Sequence, residues 1–368
     1  MVEAEIFYNF LKKKIKFFTG VPDSVLKDFT KLLDEDKSIS HYPVYNEGNA
    51  VSLSIGYHLA TDKIGCVYLQ NSGLSNSINP LISIAHKNVY SIPSLLVIGW
   101  RGSPHVKKDE PQHNTKGRIT KNLLNLLNIK FVILRKKSDL KKLNRLIVLA
   151  KNKKQTVACL VEKNVLISRK KFKFEKKKYT FQITREFFIK KFLNKIKKNT
   201  KIVSTTGFTS RELFKIRNTL KIKSGSDFYM IGGMGHAGMV ALGVSLSRKN
   251  NVICLDGDGS LLMHFGSLKL SGMFGKANFK HILFNNGSHE SVGAQRTFVE
   301  NLPFSTLAKT LGYNYTDTIS NHKNFDKKLK KFISSKGPSF LEIKTKIESL
   351  KNMGRPNNFI KIKNKFKK

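Results

Sequence analysis

The chain has 368 residues and carries 67 Lys and Arg against 25 Asp and Glu, a formal charge of +42, while 40% hydrophobic residues give it apolar material for two ordinary domains. The excess runs from Lys12-Lys13-Lys14 through Lys176-Lys177-Lys178 to the Lys361–Lys368 tail, interleaved with Asn and Ile, as solvated faces do. No zinc finger, RNA-binding aromatic signature or dominant basic helix accompanies it, so nucleic acid is not an expected partner.

The N-terminal stretch MVEAEIFYNFLKKK lacks the basic start and apolar run of a signal peptide, and the longest apolar stretches, such as 94–100, are strand-length. Neither a membrane span nor secretion is expected. Cys66, Cys159 and Cys254 lie far apart beside apolar residues, as free thiols in a reducing, cytoplasmic setting do.

Strand-like runs at 16–20, 65–69, 95–98 and 131–134 alternate with helical patterns in the first half. The rhythm returns at 202–204, 227–230, 252–255, 281–284 and 340–343. Such alternation predicts α/β architecture: two doubly wound parallel-sheet domains. The charged, aperiodic stretch beginning SRKKFKFEKKK predicts a basic linker over 168–180, between a first domain over 1–167 and a second over 181–368.

Ligands of open parallel sheets collect at the carboxyl ends of strands. The segments there are TGVPDS, NEGNA, QNSGLSNSINP, GWRGSPHVKKDEPQH, STTGFTSRE, GGMGHAG, DGDGS and NNGSHESVG. In GGMGHAG, Gly233, Gly235 and Gly238 match a dinucleotide-binding fingerprint, with Asp256 ending the next strand. That reading, an NAD-dependent oxidoreductase, leaves Asp258, Gly259-Ser260 and Asn285-Asn286 without a task. A second reading pairs Asp258 with Asn286 across adjacent strand ends, joined by a helix over 261–274, to hold a hard cation with a backbone carbonyl near Ser288 and diphosphate oxygens. The GGMGHAG backbone then faces the same anion. A polyanion-binding protein is a third, non-enzymatic reading of the charge.

GDG at 257–259 followed by NN at 285–286 resembles the diphosphate-binding motif of thiamine-diphosphate enzymes. Nearly the whole chain is similar to the phosphonopyruvate decarboxylase family, with sulfopyruvate decarboxylase a close relative, on TGVPDS, NEGNAVSLSIGYHLAT, LQNSGLSNSINPL, IPSLLVIGWRGSP, KDEPQH, TTGFTSRELF, GGMGHAGMVALG, LDGDGSLLMHFGSL and FNNGSHESVGAQ.

The resemblance implies a pyrimidine-binding and a diphosphate-binding domain with no middle domain. It implies thiamine diphosphate and Mg2+ as cofactors, an anionic 2-oxo acid as substrate, and self-association with active sites at subunit interfaces. The implied reaction takes 3-phosphonopyruvate to phosphonoacetaldehyde and CO2 through a cofactor ylide and an enamine. Glu47 is implied to activate the aminopyrimidine ring. Met234 would hold the cofactor bent, and Thr205, Thr206, Gly232, Gly233, Gly235, Gly259 and Ser260 would contact it. Asp258, Asn286 and Ser288 would hold the metal. Arg101, with Lys107 behind it, would face the phosphonate, and Asn71, Gln112 and His289 would line the substrate. His113, Ser24 and Asp23 would move protons. Lone Trp100 is expected near an active-site loop, and Asp256 as a turn residue or one behind the ligands.

Overall fold

The computed structural model describes residues 2–106, 109–170 and 181–368. The chain divides into two compact units, Met1–Phe174 and Glu175–Lys368. Of the expected linker, residues 171–180 lie outside the described residues; Ser168 belongs with the first unit, its backbone N–H donating to Asp28 Oδ2 at 3.1 Å.

The first unit is built on strands β1 (Phe17–Gly20), β2 (Ser40–Pro43), β3 (Gly65–Gln70), β4 (Ser94–Trp100), β5 (Lys130–Leu134) and β6 (Val157–Glu162). All pair in parallel, in the order β2-β1-β3-β4-β6-β5. The helices that position the site are α1 (Glu47–Thr61), α2 (Leu74–Pro80) and α3 (Pro111–Leu126). Central strands are apolar on both faces, as a sheet covered by helices on each side requires. Cys66, Tyr68, Leu95, Val97, Cys159 and Val161 enter one core, while their neighbours Val67, Leu69, Leu96, Ile98, Ala158 and Leu160 enter the other. The three cysteines of the chain are free and buried.

The second unit repeats the plan. Helix α4 (Arg185–Leu193) precedes strands β7 (Lys201–Ser204), β8 (Ser226–Tyr229), β9 (Val252–Gly257), β10 (Phe279–Asn285), β11 (Tyr315–Ile319) and β12 (Ser339–Lys344), parallel in the order β8-β7-β9-β10-β12-β11. The chain order therefore winds the two sheets identically. Between these strands run α5 (Phe208–Leu220), α6 (Ala237–Ser247), α7 (Asp258–Met263) and α8 (Gly266–Phe274).

The expected helix over 261–274 is two helices, because His264 leaves the helical region (φ −136°, ψ 53°). Strand β6 forms around Cys159, and only β11 was not anticipated, because its sequence, YTDTI, alternates too weakly to stand out. Asp256 is not a turn residue: it closes β9, buried, with Oδ2 3.5 Å from His281 Nε2. Among the described residues no helix is long and apolar enough to cross a membrane.

Candidate active site

In the first unit the segments after β1, β2, β3 and β4 meet at one end of the sheet. Asn46 caps α1, its side chain accepting from Gly48 N–H at 2.8 Å, and sets Glu47 at the first helical position. The Glu47 carboxylate is buried with Asn76 Nδ2 of α2 donating to Oε2 at 2.8 Å. Burial pushes its pKa up against that hydrogen bond. Gly73 makes the room, since a Cβ there would overlap the carboxylate.

Asp23 is buried at the end of β1, its Oδ2 accepting from Val25 and Leu26 N–H at 2.7 and 3.0 Å and its Oδ1 from Gln70 Nε2 at 2.6 Å. Asn71 bridges two segments, accepting from Arg101 N–H at 3.1 Å and donating to Arg101 O and Thr120 Oγ1, both at 3.0 Å. Arg101 is gripped by Asp109 through Nε and Nη2, each at 2.6 Å, while Nη1 donates to Ser24 Oγ at 3.2 Å. His113 stands nearby on α3 with Nδ1 buried and unpartnered among the described residues. Burial, with the Arg101 charge adding to it, lowers its pKa to about 4. Gln112 Nε2 donates to Glu110 Oε2 at 2.7 Å. Lys107 lies outside the described residues. Trp100 is buried at the end of β4, its indole N–H donating to Gly117 O at 2.9 Å, so it packs beneath the Arg101 segment.

In the second unit the turn between β8 and α6 needs glycine, with Gly233 at φ +67° and Gly235 at φ +89°. Gly235 N–H donates to Ser260 Oγ at 3.1 Å, and that hydroxyl meets Thr205 Oγ1 at 2.8 Å. Gly232, Met234 and Thr206 are half-buried beside this network. Asp258 is buried at the start of α7, accepting from Thr297 Oγ1 at 2.7 Å and from the backbone N–H groups of Gly259 and Gly287. Burial pushes its pKa up to about 6, and among the described residues no cationic side chain pairs with it. The bond to Gly287 brings Asp258 to the Asn-Asn-Gly turn, where Asn286 Oδ1 accepts from Ser288 N–H at 3.0 Å. Ser288 Oγ is buried without a partner among the described residues. His289 is buried over Gly259, where a Cβ would meet its ring, and burial lowers its pKa to about 4.

Sequence comparison places this geometry. The thiamine pyrophosphate enzyme N-terminal TPP binding domain matches residues 1–121, and the C-terminal TPP binding domain matches residues 206–343. The phosphonopyruvate decarboxylase of Streptomyces viridochromogenes is 30% identical over 92% of this chain and 86% of its own length. The chain belongs to the phosphonopyruvate decarboxylase family. The sulfopyruvate decarboxylase of Methanocaldococcus jannaschii is also similar, its subunit beta 32% identical over 43% of this chain and 81% of that subunit, and its subunit alpha 37% identical over 33% and 70%.

Membership of the phosphonopyruvate decarboxylase family makes thiamine diphosphate the cofactor, and GGMGHAG part of a TPP-binding domain rather than a dinucleotide site. The donors fit it. Among the described residues, a buried carboxylate without a cation, an unpartnered serine hydroxyl and a glycine turn tied to Ser260 through Gly235 N–H suit a metal and its diphosphate. Sequence reasoning did not single out Asn76, Gly73, Asp109, Thr297 or Glu290. Gly73, Asn76, Asp109 and Glu290 lie inside segments quoted for their motifs, but nothing in their type or spacing marks them.

Proposed function

We propose that this protein decarboxylates 3-phosphonopyruvate to phosphonoacetaldehyde, with Mg2+ held by Asp258 Oδ, Asn286 Oδ1 and the Ser288 carbonyl. The observation that carries the reading is Asp258, a buried carboxylate with no cationic partner among the described residues, bonded to the turn that holds Asn286. When bound, thiamine diphosphate supplies a nucleophilic carbon for the 2-oxo group and an electron sink for the departing CO2. Glu47, whose pKa burial raises, would hydrogen-bond a nitrogen of the cofactor's ring and so set the ring's tautomer. Met234 would support the bound cofactor, and Gly232, Gly233, Gly235, Gly259, Thr205, Thr206 and Ser260 would hold its anionic end.

The phosphonate is met by the Arg101 Nη1 edge, the side bonded to a neutral hydroxyl, that of Ser24, rather than to Asp109. Asn71 fixes the Arg101 backbone, and Gln112 on α3 donates to Glu110, whose carboxylate lies 3.5 Å from Arg101 Nη2. His113, neutral at physiological pH, is the leading proton carrier, with Asp23 and His289 behind it. The half-sites are completed by a second copy, whose domains face those of the first.

Incubation with phosphonopyruvate, followed by 31P NMR, should show phosphonoacetaldehyde accumulating. Turnover of sulfopyruvate with none of phosphonopyruvate would transfer the assignment to the sulfonate relative.

A further inference from the structure

Asn285, the last residue of β10, and Asn286, which follows it, are each held by a carboxylate from outside their own peptide turn. Asn285 Nδ2 donates to Glu342 Oε1 at 2.7 Å. Asn286 Nδ2 donates to Glu290 Oε2 at 3.1 Å, while Asn286 Oδ1 accepts from Ser288 N–H at 3.0 Å. A carboxylate only accepts and a backbone N–H only donates. Both neighbours therefore impose the same orientation on the Asn286 amide. The same Glu290 oxygen also accepts from Arg185 Nη2 at 3.1 Å. Arg185, the first residue of α4, is itself buried and anchored through Nε to Glu212 Oε2 at 2.7 Å. Glu212 is fully buried on α5 and accepts from Leu350 N–H at 3.0 Å, so the chain of contacts ends on backbone.

We infer that Glu290, anchored by Arg185, is a positioning residue that locks the Asn286 amide with its oxygen turned away from Glu290 and free to bind the metal. This rests on the proposed role of Asp258 and Asn286 as metal ligands. A primary amide presents an oxygen on one side and an N–H2 on the other, and the wrong face repels a cation. Asn286 Oδ1 keeps a second lone pair beyond the one given to Ser288 N–H. Outer partners that orient metal ligands in this way typically contribute 10–100-fold in metal affinity.

The test measures Mn2+ binding by the loss of its free EPR signal, on the full-length protein at saturating thiamine diphosphate. Glu290→Met keeps the length of the side chain but removes the acceptor, and should weaken binding by about 10-fold or more. Glu290→Gln removes the charge yet offers one oxygen to both Arg185 and Asn286, and should stay within about 3-fold of the unaltered protein. Asn286→Asp presents an oxygen on either side, so it should gain more affinity in the Glu290→Met background than alone. Unchanged binding by Glu290→Met, an equal loss in Glu290→Gln, or the same gain from Asn286→Asp in both backgrounds would each overturn the inference. Asp258→Ala separates the two levels. If it abolishes binding while Glu290→Met does not, only the positioning role falls; if it binds Mn2+ normally, the metal assignment falls and the inference with it.

Discussion

Glu47 and Asp258 are both buried carboxylates with raised pKa values, yet their surroundings prepare them for different partners. Glu47 receives one side-chain amide N–H on one oxygen and depends on Gly73 for space, which in the proposed reading leaves its other oxygen for a ring nitrogen. Asp258 receives a hydroxyl and backbone N–H groups, and among the described residues it has no cationic partner. Glu47→Gln should therefore bind cofactor normally but lose about 10²- to 10⁴-fold in kcat, the usual share of a general acid or base. Gly73→Ala should reproduce much of that loss without touching the acid, because the added methyl displaces it; cofactor titration beside steady-state kinetics checks both. A pH prediction belongs to His113. Its folded pKa of about 4 lies below the ordinary histidine value, so on acidification the unfolded chain takes up a proton that the folded chain refuses. Its share of stability is whole above pH 6.5 and declines as pH falls toward 4, and denaturant titrations should show Glu-length Gln at this position, His113→Gln, flattening that decline.

At the level of elements, the site is a set of strand-to-helix turns whose backbone is committed before any ligand arrives. Gly235 illustrates this: it sits at φ +89°, a Cβ on it would press on His264, and its N–H is tied to Ser260. Gly235→Ala combines left-handed strain with a steric clash. It should weaken thiamine diphosphate binding, measured by calorimetry, while leaving the far-UV circular dichroism of the sheets unaltered. These turns were legible in the sequence because glycine, Asp and Asn at strand ends report local backbone geometry. The break at His264 was not, since residues 261–274 read as one mostly apolar helical pattern, whereas in the fold His264 leaves the helical region with its ring stacked on His236 and close to Gly235. Strand β11 escaped for a related reason: its residues are half-buried at the sheet edge, where alternation is weak.

For the molecule as a whole, two units of identical strand order each carry one half of the proposed machinery, Glu47 in the first and Asp258 in the second. If the halves of one site come from two copies, mixing Glu47→Gln with Asp258→Ala and allowing subunits to exchange should restore up to about a quarter of the sites. Unmixed variants should stay inactive, and an assay before and after exchange reads the difference. The sequence alone determined the α/β rhythm and the cofactor, and it marked the turns proposed to meet the cofactor's charged end, because those depend on short motifs whose backbone demands are met within a few residues. Tertiary structure decided the rest: that Arg101 is shared with Asp109, that Asp256 closes a strand beside His281, and that Asn286 is oriented by Glu290 and Arg185, two residues 105 positions apart. Such partners are chosen by which buried charges the folded chain brings within hydrogen-bonding reach, and a buried charge leaves no spacing in the sequence by which its partner can be found.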